Sequence, residues 1–421
     1  MNVRSCWELL CLLCFCAGIS AQSWPGFRGP AGNGICAVET APVTWGPETN
    51  VKWKVELPQP ANGSPIVIGD KVFLACAADS EGKQRSLHCF SRLTGEQSWV
   101  RTVEIDEKMP THKTNPYCGS TPASDGECIV IWHGSAGLFC YDLDGEEIWK
   151  RDLGEFRHMW GYGTSPVIHG GKVILNASPG ETVFLTALDI ETGETIWRTD
   201  EPVVGDGQRN ESNKYMGSWC TPVIIEFEDE EQVLCTQATR VVAYDPEDGK
   251  IIWFCRGVSH ARGDLAYSSP VVSGDVCVVI AGFKGPGMGI RLGGKGDVTE
   301  THRLWRKEDS PQSIGSGVSL EGRIFIPHAE GGGISCVDPK TGDELWQERS
   351  SRAQQWGSIV FAAGRMYLTN QQGETIVFAP NTDKFESIAR NDLGEAGNST
   401  PAFSDGEIFI RTHERLYCIV E

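Results

Sequence analysis

Five stretches of the chain concentrate side chains suited to holding a small molecule: "HKTNPYCGSTP", "RHMWGYGTSP", "QRNESNKYMGSWCTP", "SHARGDLAYSSP" and "SRAQQWGS". Together they supply His112, Asn115, Tyr117, His158, Trp160, Tyr162, Lys214, Tyr215, Trp219, His260, Arg262, Tyr267, Gln355 and Trp356. Flat aromatic faces, imidazoles and amides in one place suit a peptide strand, a sugar or a small planar ligand. The same groups also fill and hydrate a central channel, and the sequence leaves both readings open.

Other chemistry finds less support. The nine histidines are scattered and none forms H-x-x-x-H, so no zinc site follows from local spacing and no metal ligand is assigned. "GIRLGGKG", residues 289–296, begins like a phosphate-binding loop but ends in Gly296 where Ser or Thr would hold magnesium. With only "DVTETHRLW" after it, it reads as a flexible hairpin without a following helix. Arg262-Gly263-Asp264 spells an adhesion tripeptide that common residues produce by chance, and residues 226–232, "EFEDEEQ", read as a solvated hairpin tip. With 56 acidic residues some close carboxylate pair is certain, so neither a glycosidase pair nor a Ser-His-Asp set can be inferred without the fold.

The elements that must position these residues are written as a repeat. "CFSRLTGEQSW", "ALDIETGETIW", "AYDPEDGKIIW" and "CVDPKTGDELW", with the shorter "CYDLDGEEIW", each place a small residue, a turn and a tryptophan in order. Upstream of these lies a Ser/Thr-Pro phrase, a short strand, a Gly/Asp turn and a β-branched strand, as in "GTSPVIHGGKVILNAS". Four antiparallel strands in about 40 to 50 residues make one propeller blade. The closing tryptophans are Trp53, Trp99, Trp149, Trp197, Trp253, Trp305 and Trp346, spaced 41 to 56 residues apart, and they read as docking residues between blades. A seventh repeat has Ile388 where the tryptophan belongs, and the eighth stops at "RLYCIVE", one strand short. Trp53 in "NVKWKVEL" is a fourth strand with no blade before it, so it is expected to pair with "RLYCIVE" and close the ring. The expected fold is therefore all-β, an eight-bladed propeller of four-stranded antiparallel blades closed by the N-terminal strand.

Arg4, the apolar run "LLCLLCFCAGIS" and Ala21 have the layout of a secretory signal peptide, giving residues 1–21 as leader and 22–421 as a single propeller domain, secreted or periplasmic. No second long apolar run exists, so no transmembrane segment is expected after processing. A net charge of −19 argues against nucleic acid as a partner. Of the sixteen cysteines, Cys89, Cys140, Cys336 and Cys418 occupy the slot that Ala187 and Ala243 fill in sister repeats, so they read as small packed thiols.

These phrases resemble the tryptophan-docking repeats of the PQQ-like propeller family, which includes quinoprotein dehydrogenases and non-catalytic, BamB-like assembly factors of the outer membrane. "WPGFRGPAGNGI" and "GGKGDVTETHRLWR" are similar to phrases in secreted PQQ-like repeat proteins. The resemblance implies, for catalytic members, pyrroloquinoline quinone (PQQ) stacked between a Trp and a disulfide of adjacent cysteines, a calcium ion and an Asp base. No Cys-Cys dipeptide occurs here, so no catalytic residue is transferred. The expectation is a binding or assembly scaffold with a protein partner or small ligand on one face. The alternatives are a diverged PQQ- and calcium-dependent dehydrogenase and a BamB-like assembly factor.

Overall fold

The Ser/Thr-Pro phrases begin the innermost strands because proline lacks an N–H and is tolerated where a strand starts. In the computed structural model, which describes residues 23–421, each phrase opens one of eight radial sheets. Blade one runs from Ile66–Ile68 to Gln97–Glu104 and blade two from Ala123–Ser124 to Glu147–Arg151. Blades three to seven end on Thr195–Glu201, Ile251–Arg256, Arg303–Lys307, Glu344–Arg349 and Ser387–Asp392. Blade eight combines Ala402–Ser404, Glu407–Arg411 and Arg415–Ile419 with Val51–Glu56, which pairs antiparallel so that Trp53 faces Cys418. The ring thus closes as the sequence requires. The signal-peptide reading falls on residues outside those described. No helix among the described residues is long and apolar enough to cross a membrane.

The outer strands share one device. Trp99, Trp149, Trp197, Trp253, Trp305, Trp346 and Trp53 sit opposite Cys89, Cys140, Ala187, Ala243, Gly289, Cys336 and Cys418, each beside a β-bulge. A small partner leaves room for the indole to turn toward the next blade. Six of the seven then donate their indole N–H to a carbonyl in the next blade's turn: Arg92, Leu143, Ile190, Pro246, Pro339 and Asn381 accept at 2.7–3.1 Å. The turn glycine lies flat on the ring, and a Cβ added at Gly193 would come 2.5 Å from Trp149. The twelve described cysteines are all buried and free.

Two departures have a common cause. Val377 faces Ala389, so the tryptophan slot of blade seven belongs to Ala389, and Ile388 is the bulged residue before it. The turn it would dock onto does not exist, because the third and fourth strands of blade eight come from opposite ends of the chain. Residues 42–50 stand there instead: the Asn391 side chain accepts from the Trp45 backbone N–H and donates to the Val43 carbonyl. In blade five the turn is replaced by an insertion, so Trp253 donates to Gln232 of its own blade. The phrase read as a free hairpin of blade five instead lends Gly296–Asp297 to the edge of blade four and adds one helical turn, Thr299–His302.

The inner strands carry a second ring, one that has no break. The backbone N–H of Ser64 donates to Thr121 Oγ1, that of Thr121 to Ser165 Oγ and that of Ser165 to Thr221 Oγ1, each at 3.0–3.1 Å. Ser269 Oγ donates back to the Thr221 carbonyl, and the N–H relay resumes through Ser316, Ser358, Thr400 and Ser64. One hydroxyl per blade therefore circles the axis.

Candidate functional site

Above this hydroxyl ring, on the side of the loops that enter the inner strands, lies a cavity of about 420 Å³. All eight ring hydroxyls line it. On the opposite side the channel is shut by the N-terminal segment. Trp24 bridges to Val67 of blade one and the Pro25 carbonyl accepts from Ser124 of blade two. Ile35–Cys36 pairs parallel with Val360–Ala362 of blade seven, and the buried Arg28 guanidinium donates to the Gly317 carbonyl of blade six. Spanning those blades, the segment crosses the axis and presents Phe27 to the cavity, which becomes a cup open at one mouth.

The wall has two arcs. From blades three to five come Trp160, Trp219, Tyr267 and Phe283, with ring centroids 5.1–6.5 Å apart between successive pairs. Their neighbourhood is fixed by a parallel ribbon between the entry loops, Tyr215–Ser218 against Gly263–Ala266, and by the Trp219 backbone N–H donating to the Ala266 carbonyl while its indole N–H donates to the Gly161 carbonyl. Phe283 is held in the left-handed region at φ 50°, where only a surrounding structure that over-determines it keeps a non-glycine residue. From blades eight, one and two come amides: Asn398 donates to Asn62 Oδ1, Asn62 to Asn115 Oδ1, and Asn115 to the carbonyls of Trp160 and Tyr162. Asn398 Oδ1 accepts from no described group. His112, Thr114, Gln312 and Trp356 complete the mouth.

Of the fourteen rim residues named from sequence, His112, Asn115, Trp160, Trp219, Tyr267 and Trp356 line the cup. The other eight serve behind or beside it. His158 stands edge-on to Trp219 at 4.9 Å, and burial pulls its pKa down to about 4, so it packs as a neutral ring. Tyr215 stacks by Trp160 under the Arg209 guanidinium. Tyr117 and Tyr162 flank the buried Arg85. Lys214 pairs with Asp264, His260 and Arg262 face Asp309, and Gln355 is buried against Ser350 and the Gly332 carbonyl. Sequence reasoning missed Phe27, Phe283, Asn62 and Asn398, which belong to no cluster. It read the hydroxyls only as strand openings, although the Ser/Thr-Pro repeat was the signal for six of the eight; Ser316 and Ser358, before Gly317 and Ile359, lack it.

The chemistry of the lining is narrow: it carries no Asp, Glu, Lys or Arg. PQQ is a tricarboxylate, and nothing in the cup would neutralise it. Calcium needs six or more oxygens, carboxylates among them, and the described residues hold no cluster of three His, Cys, Asp or Glu suited to a metal. The cofactor of the catalytic members therefore does not fit these residues.

Comparison with known proteins places this geometry. In sequence, the chain is 23% identical over 167 residues to a polyvinylalcohol dehydrogenase of Pseudomonas sp, covering 36% of this chain and 25% of that protein. It is 22% identical over 258 residues to the enzyme of the same name from Sphingopyxis sp. (strain 113P3), covering 54% and 37%. The matches thus span between a quarter and two fifths of these relatives' lengths. Among solved structures, BamB from Moraxella catarrhalis aligns with a TM-score of 0.60 at 16% identity, over 88% of this chain and 97% of that one. The quinohemoprotein alcohol dehydrogenase of Comamonas testosteroni aligns at 0.68 and 12%, over 95% and 80%. At such identities the structures establish the fold alone. A family model described as outer membrane protein assembly factor BamB matches residues 83–331 and 330–421, and with most of its length so matched the chain belongs to that family of PQQ-like propellers.

Proposed function

We propose that this protein is an extracytoplasmic binding scaffold whose axial cup holds a ligand or a segment of a partner, and that it is not a quinone-dependent dehydrogenase. The observation that carries the reading is a preformed cup of about 420 Å³ without a charged side chain in its wall. That volume falls in the range of roughly 300–1,000 Å³ usual for ligand sites, whose specificity comes from a few placed polar groups. The extracytoplasmic location rests on the leader-like residues 1–21. Calorimetric titration of the purified protein with PQQ, with and without calcium, tests the proposal. No stoichiometric binding is expected, and tight calcium-dependent binding would restore the dehydrogenase reading.

A protein partner at the blade edges is a second reading, supported by a separate observation. The bulge before each docking position leaves Ile148, Ile196, Leu304, Leu345 and Ile388 between 41% and 48% exposed, a repeated apolar element on the outer strands. Assembly with outer-membrane components, in the manner the family's description suggests, would be seen as their co-purification with the tagged protein. Loss of that co-purification when these five residues are changed to Thr would place the contact at the blade edges.

A further inference from the structure

We infer that the ligand of the axial cup is a neutral saccharide, its ring stacked on the aromatic arc and its hydroxyls bonded to the amide arc and the hydroxyl ring. This rests on the binding-scaffold reading and narrows it.

Three features lead there. First, the wall carries no Asp, Glu, Lys or Arg, in a chain of net charge −19, so an anion would meet repulsion outside and no counter-charge inside. Second, the two arcs differ in kind. Trp160, Trp219, Tyr267 and Phe283 offer flat apolar faces, while on another side of the same cavity the amide N–H groups of Asn62, Asn115 and Asn398 are spent on one another and on carbonyls, leaving the Asn62 and Asn115 side-chain oxygens, each accepting one bond, as acceptors for a second. A pyranose is amphipathic in the same sense, with a face of C–H groups and a rim of hydroxyls. Third, seven of the eight floor hydroxyls, all but Ser269, accept a backbone N–H from a neighbouring blade, and an accepting hydroxyl keeps its own O–H to donate.

The same facts weigh against the competing ligands. A peptide added as a strand needs free backbone groups, and seven of the eight N–H groups around the ring are committed to hydroxyls. A quaternary ammonium ion would suit an aromatic cage, but it cannot hydrogen-bond and would leave the floor hydroxyls unmatched. A linear polyol could bond the hydroxyl floor but has no ring to stack.

The test is a glycan array of neutral oligosaccharides probed with the full chain, with hits confirmed by saturation-transfer NMR and calorimetry. Choline, linear polyvinyl alcohol and PQQ with calcium are measured in parallel. Two variants report on the cup: W356A, whose indole N–H bonds only the Gln354 side chain two residues away, and W219A. Thermal melts check both, and W356F serves as the conservative control. The expected result is at least one neutral glycan whose affinity falls by about tenfold or more in one of the two variants and recovers in W356F if that site is the one affected. The proposal is overturned if no neutral glycan binds, if both variants leave glycan binding unchanged, or if choline or the linear polyol binds in its place. Those outcomes leave the scaffold reading standing, because only PQQ binding with calcium removes it.

Discussion

Two concentric rings hold the propeller together, and they differ in how much irregularity they tolerate. The outer ring of tryptophans is interrupted twice. Ala389 replaces the indole where blade eight has no turn to receive it, and Trp253 turns to Gln232 where blade five has an insertion. The inner ring of hydroxyls has a member in every blade and a hydrogen bond at every junction. An outer contact is large and local, so a missing one can be covered by other chain, here residues 42–50. An inner contact is small, but it sits where eight blades converge, and each blade supplies its own hydroxyl.

The largest effect expected from this contrast is at the outer ring. Trp197→Ala removes a buried indole from between blades three and four and should cost about 3–5 kcal/mol in denaturant titration. Next comes the inner ring: Thr221→Val keeps the shape but strands the Ser165 N–H, a loss of about 1–3 kcal/mol. A Thr221 variant that destabilised more than the Trp197 variant would invert the comparison. Gly193→Ala probes the seam between strand turn and indole, since its φ of 68° and its closeness to Trp149 both resist a side chain. A loss of about 1–2 kcal/mol is expected from strain and overpacking, and none if the turn can lift off the ring.

The smallest effect is acid sensitivity, which belongs to neither ring. Burial lowers His133 to about 3 and His158 and His328 to about 4, against an ordinary 6.5. Below 6.5 the unfolded chain takes up protons that the folded one refuses, so their contribution is complete above that pH and is lost progressively as pH falls toward the folded values. His158→Gln should therefore lose less stability than the parent between pH 7 and 5. An equal loss would assign the acid response to other groups.

Much of this was legible in the sequence. The spacing of the tryptophans, the small residue opposite each and the orphan strand around Trp53 determined the blade number and the closure, because each repeats a physical requirement many times. What was not legible occurs once. Ala389 could not be told from Ile388 without the bulge that shifts the register by one. Trp24, Phe27 and Trp45 lie in a segment with no repeat to compare. Phe283 and Asn398 reach the cup from single loops. The parallel ribbon that brings Trp219 beside Tyr267 joins strands some fifty residues apart and leaves no periodic trace. Six of the eight hydroxyls were visible in the Ser/Thr-Pro motif, whereas Ser316 and Ser358 precede Gly317 and Ile359; that the side chains bond from blade to blade is a property of the closed circle and of no single blade.

The N-terminal segment beneath the axis has a topological consequence. With Phe27 at its base, the central passage is no longer a tunnel, so a polymer cannot be threaded through the ring and gripped along its middle. Only a terminus, or a bend sharp enough to enter and leave by the same mouth, can reach the floor. A long molecule held in the proposed cup would therefore enter it by an end or a bend.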